Sequence, residues 1–440
     1  MIPNQYHPQI QTVSRYAWWL IALLAPVVLL NYMDRQMMAA MKYSIMGDIS
    51  NLDSEAKWGL LPAVFKWTYA ALSPFGGFIA DRFSKKHVIT ISLFVWSAIT
   101  WATGHAQTYD QLLWSRAIMG VSEAFYFPAA LALITDYHTG PTRSRAVGFH
   151  HIGLYIGVII GGFSGYAAEA PSLGWRWTFD AAGIVGVVYA IPLFFLLRNA
   201  PKMPAPIPAS QSGADSPPQA AQIRNPKSEI QNPQKTPSAA RMFAELLGNK
   251  YFIMLALYFM LPGQAGWVIK DWMPAILRDQ FDIGQGRAGV SAALYTNLAA
   301  IIGVVVGGWL ADRWMRRSER GRINVGVLGL CCIIPALFGV GNAGALPVAV
   351  AFLMLFGLGY GFFDCNNMPI LCQVARPELR ATGYGVLNFV SISCGGFADW
   401  GVGVMRDMGL PNNLIFTVFA VFCAIAIVMV SLIKPNRSLA

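Results

Sequence analysis

Twelve apolar segments, each long enough to cross a lipid bilayer as a helix, constrain the fold of this chain more than any other feature. The hydrocarbon core of a bilayer is about 30 Å thick, and a helix crosses it with about 20 residues. Backbone groups in lipid must form hydrogen bonds within their own segment, so each span is predicted to be an α-helix. The predicted spans are 16–40, 58–79, 87–104, 110–136, 147–168, 177–197, 251–272, 288–311, 323–341, 345–373, 381–403 and 411–433.

The composition agrees with a membrane protein and excludes other classes. Only 12% of the 440 residues are charged, against about 25% in a soluble protein, so a soluble enzyme and a disordered chain are both disfavoured. The net charge of +10 does not imply a nucleic-acid partner, because that requires a basic face on a soluble domain. The six cysteines lie in or beside apolar runs without metal-ligand spacing, so neither a metal site nor a cofactor is expected.

A polar segment divides the spans into two sets of six. From residue 199 to about 240 the chain carries nine of its 26 prolines, many serines and glutamines, and almost no large apolar residue. Such a segment cannot bury enough surface to order itself, which indicates a flexible linker. The predicted organisation is a six-helix bundle over 1–198, a cytoplasmic linker over 199–245 and a second six-helix bundle over 246–440.

The two sets of spans share sequence patterns. A Gly-x-x-x-Asp-Arg-x-x-basic-basic motif follows the second span at 77–86 and recurs at 308–317, 231 residues later. An Arg-Ala-x-Gly pattern at 145–148 recurs at 380–383, 235 residues later. Two echoes at nearly one offset indicate a duplicated six-helix unit, a plan found in transporters with a substrate site at mid-membrane. We therefore predict an all-α membrane protein with twelve transmembrane helices in two pseudo-symmetric halves.

The basic residues predict the orientation. If the termini and the loops after even-numbered spans share one side, that side holds 22 of the 32 Lys and Arg residues. The loops of the other side hold seven, Lys270 among them. A basic excess marks the cytoplasmic side, so both termini are predicted to be cytoplasmic in a multi-pass protein of the cell (inner) membrane.

The doubled loop motif resembles that of the major facilitator superfamily, and three further patterns resemble its anion:cation symporters. They are Asn-Tyr-x-Asp-Arg at 31–35, Arg-x-x-x-Gly-x-x-Glu at 116–123 and Gly-x-Gly-x-x-Asn at 383–388. That branch includes hexuronate, aldonate and sialic acid carriers and the sialin relatives. The resemblance implies a major facilitator fold and proton-coupled uptake of a sugar acid or a similar organic anion.

Arg35 lies within the first predicted span. A charge at the bilayer centre costs roughly 2.5–3.5 kcal/mol, so such residues usually face a cavity and serve function. Its guanidinium is a planar fork suited to two hydrogen bonds with one carboxylate. Two interpretations stay open: Arg35 binds the carboxylate of the substrate, or it forms an internal ion pair that fastens the first span to its neighbours.

Asp34, Arg116 and Glu123 are the other central charges of the first half. Arg116 and Glu123 lie seven residues apart on one helix face, about 10 Å along the axis, and are too distant to pair directly. A carboxylate holds a proton more tightly in a dry cavity and less tightly beside an arginine, so a moving arginine can load and unload a proton. We predict that Asp34 and Glu123 carry protons and that Arg116 contributes to anion binding, with permanent structural ion pairs as the alternative.

Polar aromatic and amide side chains complete the predicted binding site. The resemblance supports a binding role for Tyr32, Tyr69 and Asn388, which could donate hydrogen bonds to a hydroxylated substrate. Asn366 could add a donor, with a helix–helix hydrogen bond as the alternative.

Lys66, His151 and Asp364 depart from the pattern of the family. Lys66 lies three residues before Tyr69 and shares its helix face, so it could bind the anion or extend its charge to the membrane surface. His151 could relay protons or bind substrate, because histidine titrates near physiological pH, or it could simply pack. Asp364 is predicted to be either a cavity group or the partner of a cation in the second half.

The loop motifs predict gates. Asp81 and Arg82 end the second span at the cytoplasmic side, and Asp312 and Arg313 repeat the arrangement. Each aspartate could interact with the N-terminus of the following helix and pair with a loop arginine when that side is closed. Single surface ion pairs contribute only about 0–1 kcal/mol, so the gate must act as a network.

Together these patterns predict a secondary transporter that imports an organic anion, most plausibly a sugar acid, with one or more protons by alternating access. It is expected to work as a monomer in the bilayer, with sodium left as an alternative coupling ion. A proton-antiport exporter of drugs or metabolites is the first alternative, although a cationic anchor such as Arg35 disfavours it. A non-transporting membrane sensor is the second alternative. A membrane enzyme is not expected, because no nucleophile–base motif or phosphate loop is found.

Overall fold

The computed structural model describes residues 15–138, 142–200, 239–376 and 379–434. Seventeen α-helices account for most of these residues. The helices are α1 (Arg15–Ala40), α2 (Lys42–Asp48), α3 (Glu55–Arg82), α4 (Lys85–Gly104), α5 (Tyr109–Glu123), α6 (Tyr126–Tyr137), α7 (Arg143–Gly162), α8 (Ser164–Glu169), α9 (Gly174–Leu196), α10 (Ala239–Gly248), α11 (Lys250–Phe281), α12 (Gln285–Met315), α13 (Gly321–Gly341), α14 (Leu346–Asp364), α15 (Asn367–Val374), α16 (Arg380–Asp407) and α17 (Asn412–Ser431).

The all-α fold with twelve membrane crossings in two halves is confirmed. Within the described ranges, ten helices or joined helix pairs are long and apolar enough to cross a membrane. The other two crossings are α3 and α16, which have 28 residues each but a more polar composition. These two helices pack against each other at the interface between the halves, where their polar side chains are shielded from lipid. We call α1–α9 the first half and α10–α17 the second half.

The fourth and tenth spans are broken at equivalent points. Helix α5 ends at Glu123 and α14 ends at Asp364, and a new helix begins three residues after each acid. Proline explains both breaks, since Pro128 and Pro369 lack an N–H and clash with the carbonyl four residues earlier. That carbonyl belongs to the residue that directly follows the acid. Each half therefore presents a carboxyl group at a helix break.

The predicted linker falls mostly outside the described residues, but its last part is helical. Helix α10 begins at Ala239, inside the segment predicted to be flexible. Glu245 of α10 receives hydrogen bonds from the Arg376 guanidinium at 2.5 and 2.6 Å, which ties the helix to the second half. We call the end of the bundle at which α1 begins and α10 lies the linker end, and the opposite end the far end.

Ion pairs join the two halves at the far end. Glu55, at the start of α3, pairs with Lys42 of its own half and with Arg406 of the second half, the latter at 3.2 Å. Arg406 also reaches Asp279 at 2.5 Å. Asp407 accepts hydrogen bonds at 2.8 Å from the backbone N–H of Glu55, which satisfies a free donor at the N-terminus of α3.

A second set of contacts closes the far end beside α12. The carboxylate of Glu169 accepts hydrogen bonds from the backbone N–H groups of Gln285 and Gly286 at the N-terminus of α12. The side-chain oxygen of Gln285 accepts hydrogen bonds from the backbone N–H groups of Tyr43 and Ser44 at 3.0 and 3.2 Å. Apolar packing also joins the two halves here. The larger hydrophobic core extends from the second half into the far-end part of the first half. The structure is thus closed at the far end.

Candidate functional site

Asp34 and Arg116 form a buried ion pair inside the first half. Nη1 of Arg116 donates to Asp34 at 3.1 Å, and both side chains are less than 5% exposed. Thr100 donates to the other carboxylate oxygen of Asp34 at 3.2 Å, and Arg116 donates to Thr103 at 3.0 Å. Two threonines from α4 therefore hold a pair that joins α1 to α5.

Arg35 and Glu123 form a second pair directly beside it. Nε and Nη2 of Arg35 donate to one oxygen of Glu123 at 3.0 and 2.5 Å. The guanidinium lies 4.8, 4.6 and 5.4 Å from the ring centroids of Tyr32, Phe65 and Tyr69. Glu123 is fully buried, whereas Arg35 is 12% exposed. The cation therefore keeps an open side although it has a carboxylate partner.

Both ion pairs join a residue of α1 to a residue of α5. Asp34 and Arg35 are adjacent in sequence but contact different partners on α5, and those partners lie one above the other on a single helix face. Helix α5 can approach α3 closely because Gly120 has no side chain. A Cβ there would lie 2.1 Å from the hydroxyl of Thr68. In this structure all four charges are paired, so Arg35 has to leave Glu123 before it can bind a substrate carboxylate.

Lys270 is a central cation that the sequence interpretation assigned to a far-end loop. That assignment is wrong, because α11 continues to Phe281 and encloses Lys270. Its ammonium lies 4.6 Å from the ring centroid of Tyr32 and 5.5 Å from that of Trp267. Among the residues that the structure describes, no carboxylate forms an ion pair with it. Arg35 from the first half and Lys270 from the second therefore approach the same tyrosine ring.

The second half contributes a tyrosine-rich face around Asp364. Asp364 is exposed at the helix break, and it interacts electrostatically with Tyr360 and Tyr384 of the second half and with Tyr155 of α7 in the first half. It also interacts with His151 of the first half. Polar side chains of both halves thus face one another across the interface.

The internal repeat relates these groups to one another. The separation of 235 residues that joins 145–148 to 380–383 also joins Arg35 to Lys270. The equivalent helix breaks relate Glu123 to Asp364, at a separation of 241 residues. Lys270 was therefore detectable from the sequence, by applying the repeat offset to the central charges.

Lys66 is not placed with the predicted binding residues. Its ammonium forms ion pairs with Asp271 and Asp399 of the second half and is buried, so it neither reaches the membrane surface nor faces the Arg35 site. We call these three residues the Lys66 triad. The sequence interpretation missed both aspartates, because a single acid hardly changes the hydropathy of a long apolar segment.

The remaining predicted residues lie at different depths. Asn366 is buried at the break after α14 and donates to the carbonyl of Phe362 at 2.8 Å, a local contact and not the predicted bond between helices. Asn388 lies half-buried beside Tyr384, on the side of Asp364. His151 is half-buried, with Nδ1 2.8 Å from the carbonyl oxygen of Val147.

The predicted gate residues lie at the linker end. The side chain of Asp81 falls outside the described part of the structure. Arg82, Asp312 and Arg313 are exposed, and the guanidinium of Arg313 lies 5.8 Å from the ring centroid of Trp309. Their gating role stays a prediction.

Comparison with known proteins identifies the family. A model of the Major Facilitator Superfamily matches residues 24–398. The chain belongs to the Major Facilitator Superfamily. It is 24% identical over 389 residues to the D-galactonate transporter of Escherichia coli O6:H1, and the alignment covers 86% of each chain. It is 26% identical over 380 residues to Protein spinster homolog 1 of Homo sapiens, covering 82% of this chain and 68% of that protein.

Solved structures of this superfamily share the fold. A bacterial homolog of the human lysosomal transporter Spinster, in an inward-facing and unoccupied conformation, aligns with a TM-score of 0.73 and 20% identity. The alignment covers 96% of this chain and 95% of that one. The protein is accordingly a multi-pass membrane transporter of the superfamily, with a small molecule as its cargo.

Proposed function

We propose that this superfamily member imports a sugar acid together with protons. The observation that carries the proposal is the pair of cations on Tyr32. The guanidinium carbon of Arg35 lies 4.8 Å and the ammonium of Lys270 lies 4.6 Å from that ring centroid, and the two cations come from opposite halves. Two like charges held so close repel each other, and a carboxylate between them relieves the repulsion. An anion bound there contacts both halves at once.

The surroundings of Asp364 support a hydroxylated substrate. Tyr360, Tyr384 and Asn388 of the second half and Tyr155 of the first supply hydroxyl and amide groups around it. Sugar hydroxyls both donate and accept hydrogen bonds, so a carboxylate, phenols and an amide suit them. The similarity to a D-galactonate transporter favours the same class, a carboxylate at one end of a polyhydroxylated chain.

Proton coupling follows from competition for Arg35. Glu123 and the substrate carboxylate both require the same guanidinium, which can form its two-pronged contact with one of them at a time. When Glu123 takes up a proton, its hold on Arg35 weakens and the substrate carboxylate replaces it. Asp34 and Arg116 can undergo the same exchange about two helix turns away along α5. Substrate and proton therefore bind together and leave together.

Transport then requires the two halves to rock around this site. The basic excess orients the linker end toward the cytoplasm. The closed far end corresponds to the state in which the site is shut off from the outside. We assign net import to the inward proton gradient, which loads Glu123 and Asp34 from the outer side.

Uptake into proteoliposomes tests this function. Labelled D-galactonate, a hexuronate, sialic acid and a neutral sugar are offered with and without an inward proton gradient. We expect gradient-stimulated uptake of at least one sugar acid and its loss in Arg35→Gln. Arg15→Gln, which changes an exposed arginine of the same helix, should transport normally. Uptake of the neutral sugar alone, or uptake of acids that ignores the gradient, would contradict the proposal.

A further inference from the structure

The Lys66 triad joins the two halves beside the Arg35 site, since the ring of Trp267 lies 4.4 Å from the ammonium of Lys66 and 5.5 Å from that of Lys270. Lys66 belongs to α3 of the first half, whereas Asp271 and Asp399 belong to α11 and α16 of the second. Its ammonium contacts one oxygen of each aspartate. The side chains of Lys66 and Asp399 are 3% and 0% exposed, and that of Asp271 is 12% exposed. The halves cannot separate at this level without breaking both ion pairs.

Close helix packing buries Lys66 and Asp399, whereas Asp271 keeps a small exposed part. A Cβ on Gly59 of α3 would lie 2.4 Å from the backbone carbonyl oxygen of Asp399, so the two helices touch through their backbones. Deeper along the same contact, Trp67 donates to the carbonyl of Ser393 at 3.1 Å and packs against Phe397. Within the described residues, the ion-pair partners of the triad's charges are the triad's own side chains.

The triad contains two carboxyl groups but one ammonium. Both carboxyls contact the same ammonium, so they lie close to each other. Two carboxylates this close repel each other, and one ammonium compensates only one of the two negative charges. Oδ1 of Asp399 is fully buried and has no hydrogen-bond partner among the described residues. An ionised carboxylate with such an oxygen is strongly disfavoured, whereas a carboxylic acid can donate its O–H to the neighbouring carboxylate.

Lys270 is another cation near the triad, and it interacts electrostatically with the neighbouring Asp271. Among the described residues its ammonium forms no ion pair with either aspartate, and it lies against the ring of Tyr32 on the side of the substrate site. There it lies close to Arg35, which is already neutralised by Glu123. The charge of Lys270 is thus directed to the incoming anion.

We propose that Asp271 and Asp399 share one bound proton beneath Lys66 whenever the far end is closed. Opening the far end moves Lys66 away from the two aspartates and admits water. Both aspartates then ionise fully, and the carboxylic acid gives its proton to that water, with no change of oxidation state. The triad is therefore a third proton-binding site beside Asp34 and Glu123. Its action is independent of which substrate is carried.

The proposal fixes how pH changes the conformation. The closed state binds one proton more than the open state, so low pH favours closure. The ratio of open to closed molecules should rise by up to tenfold for each pH unit as the proton is lost. Exposed Gly47 and Gly344 lie at the far end in opposite halves, and each has open space around it. They can be replaced by spin-labelled unnatural amino acids, which leaves the native cysteines in place.

The first test measures the distance between these labels by pulsed electron paramagnetic resonance, without substrate, from pH 5 to pH 9. The background carries Asp34→Asn and Glu123→Gln, which silences the other two proton sites. We expect the open fraction to increase with pH, and this dependence to vanish on adding Asp399→Asn or Asp271→Asn. A pH dependence that both asparagine variants retain, or its absence from the background protein, would overturn the proposal.

Infrared spectroscopy gives a second test that needs no conformational change. At neutral pH the closed wild-type protein should show the C=O absorption of a protonated carboxyl group. Asp271→Asn and Asp399→Asn should each lose the same absorption, because the remaining aspartate then pairs with Lys66 and ionises. Glu319→Gln changes an exposed acid at the linker end of the second half and should retain it. Persistence of the absorption in both triad variants would refute the shared proton.

Discussion

Replacing Glu123 by glutamine tests whether substrate and proton compete for Arg35. Glutamine keeps the size and shape of glutamate and imitates its protonated form. The substrate no longer has to displace a carboxylate in this variant. We therefore expect Glu123→Gln to bind the anion well at every pH, whereas the wild-type protein binds it well only at low pH.

The structure sets the magnitude. Arg35 donates two charge-assisted hydrogen bonds to one oxygen of Glu123, at 3.0 and 2.5 Å. A single hydrogen bond to a charged group contributes about 1.5–3 kcal/mol. If replacement by glutamine removes about 2 kcal/mol of this competition, the affinity for the anion at high pH rises about 30-fold. At low pH the two proteins should bind equally.

The assay is calorimetric titration of the purified proteins with D-galactonate between pH 5 and pH 9. Asp34→Asn is the matched control, because it removes an acid from the neighbouring ion pair but leaves the contact of Arg35 with Glu123. It should keep the loss of affinity at high pH. Weaker binding by Glu123→Gln at all pH values would refute the competition and assign Glu123 a direct or structural role.

Two further predictions concern the second half and the closed end. Lys270→Met should lower the affinity for the anion more than tenfold without changing the melting temperature. Lys250→Met, at the start of the same helix, should leave the affinity unchanged. Calorimetric titration measures the affinities, and thermal melts measure the melting temperatures. Gly59→Ala would force a Cβ to within 2.4 Å of the carbonyl of Asp399, an overpacking that costs about 1–3 kcal/mol of the closed state. Far-end distance measurements should then show more open molecules, and Gly47→Ala, where the space is open, should show no change.

The sequence predicts the architecture well because hydropathy records the environment of each helix. The twelve spans, the division into halves and the central Asp34, Arg35, Arg116 and Glu123 are all visible as apolar runs or interruptions of them. Helix breaks were not predicted, although Pro128 marks one of them. Proline often lies inside membrane helices without breaking them, so its position alone does not decide.

The sequence could not predict which residue each buried charge pairs with. Arg35 was compatible with an internal ion pair or with a substrate contact, and only the three-dimensional structure shows that it pairs with Glu123 of α5. Lys66 shares a helix face with Tyr69, which suggested a common site. The Lys66 ammonium instead contacts Asp271 and Asp399, two acids more than 200 positions away in the sequence. Contacts at such separations depend on how two halves dock, and periodicity within one helix does not record that.

The central claim is that anion and proton cross the membrane together at Arg35. The most direct measurement is the internal pH of proteoliposomes, followed with a trapped dye, when D-galactonate is added outside without any imposed gradient. A symporter works in either orientation, so the account predicts acidification of the interior by the wild-type protein and none by Arg35→Gln. Entry of labelled D-galactonate with no change of internal pH would contradict proton symport, and acidification by Arg35→Gln would contradict the role of Arg35.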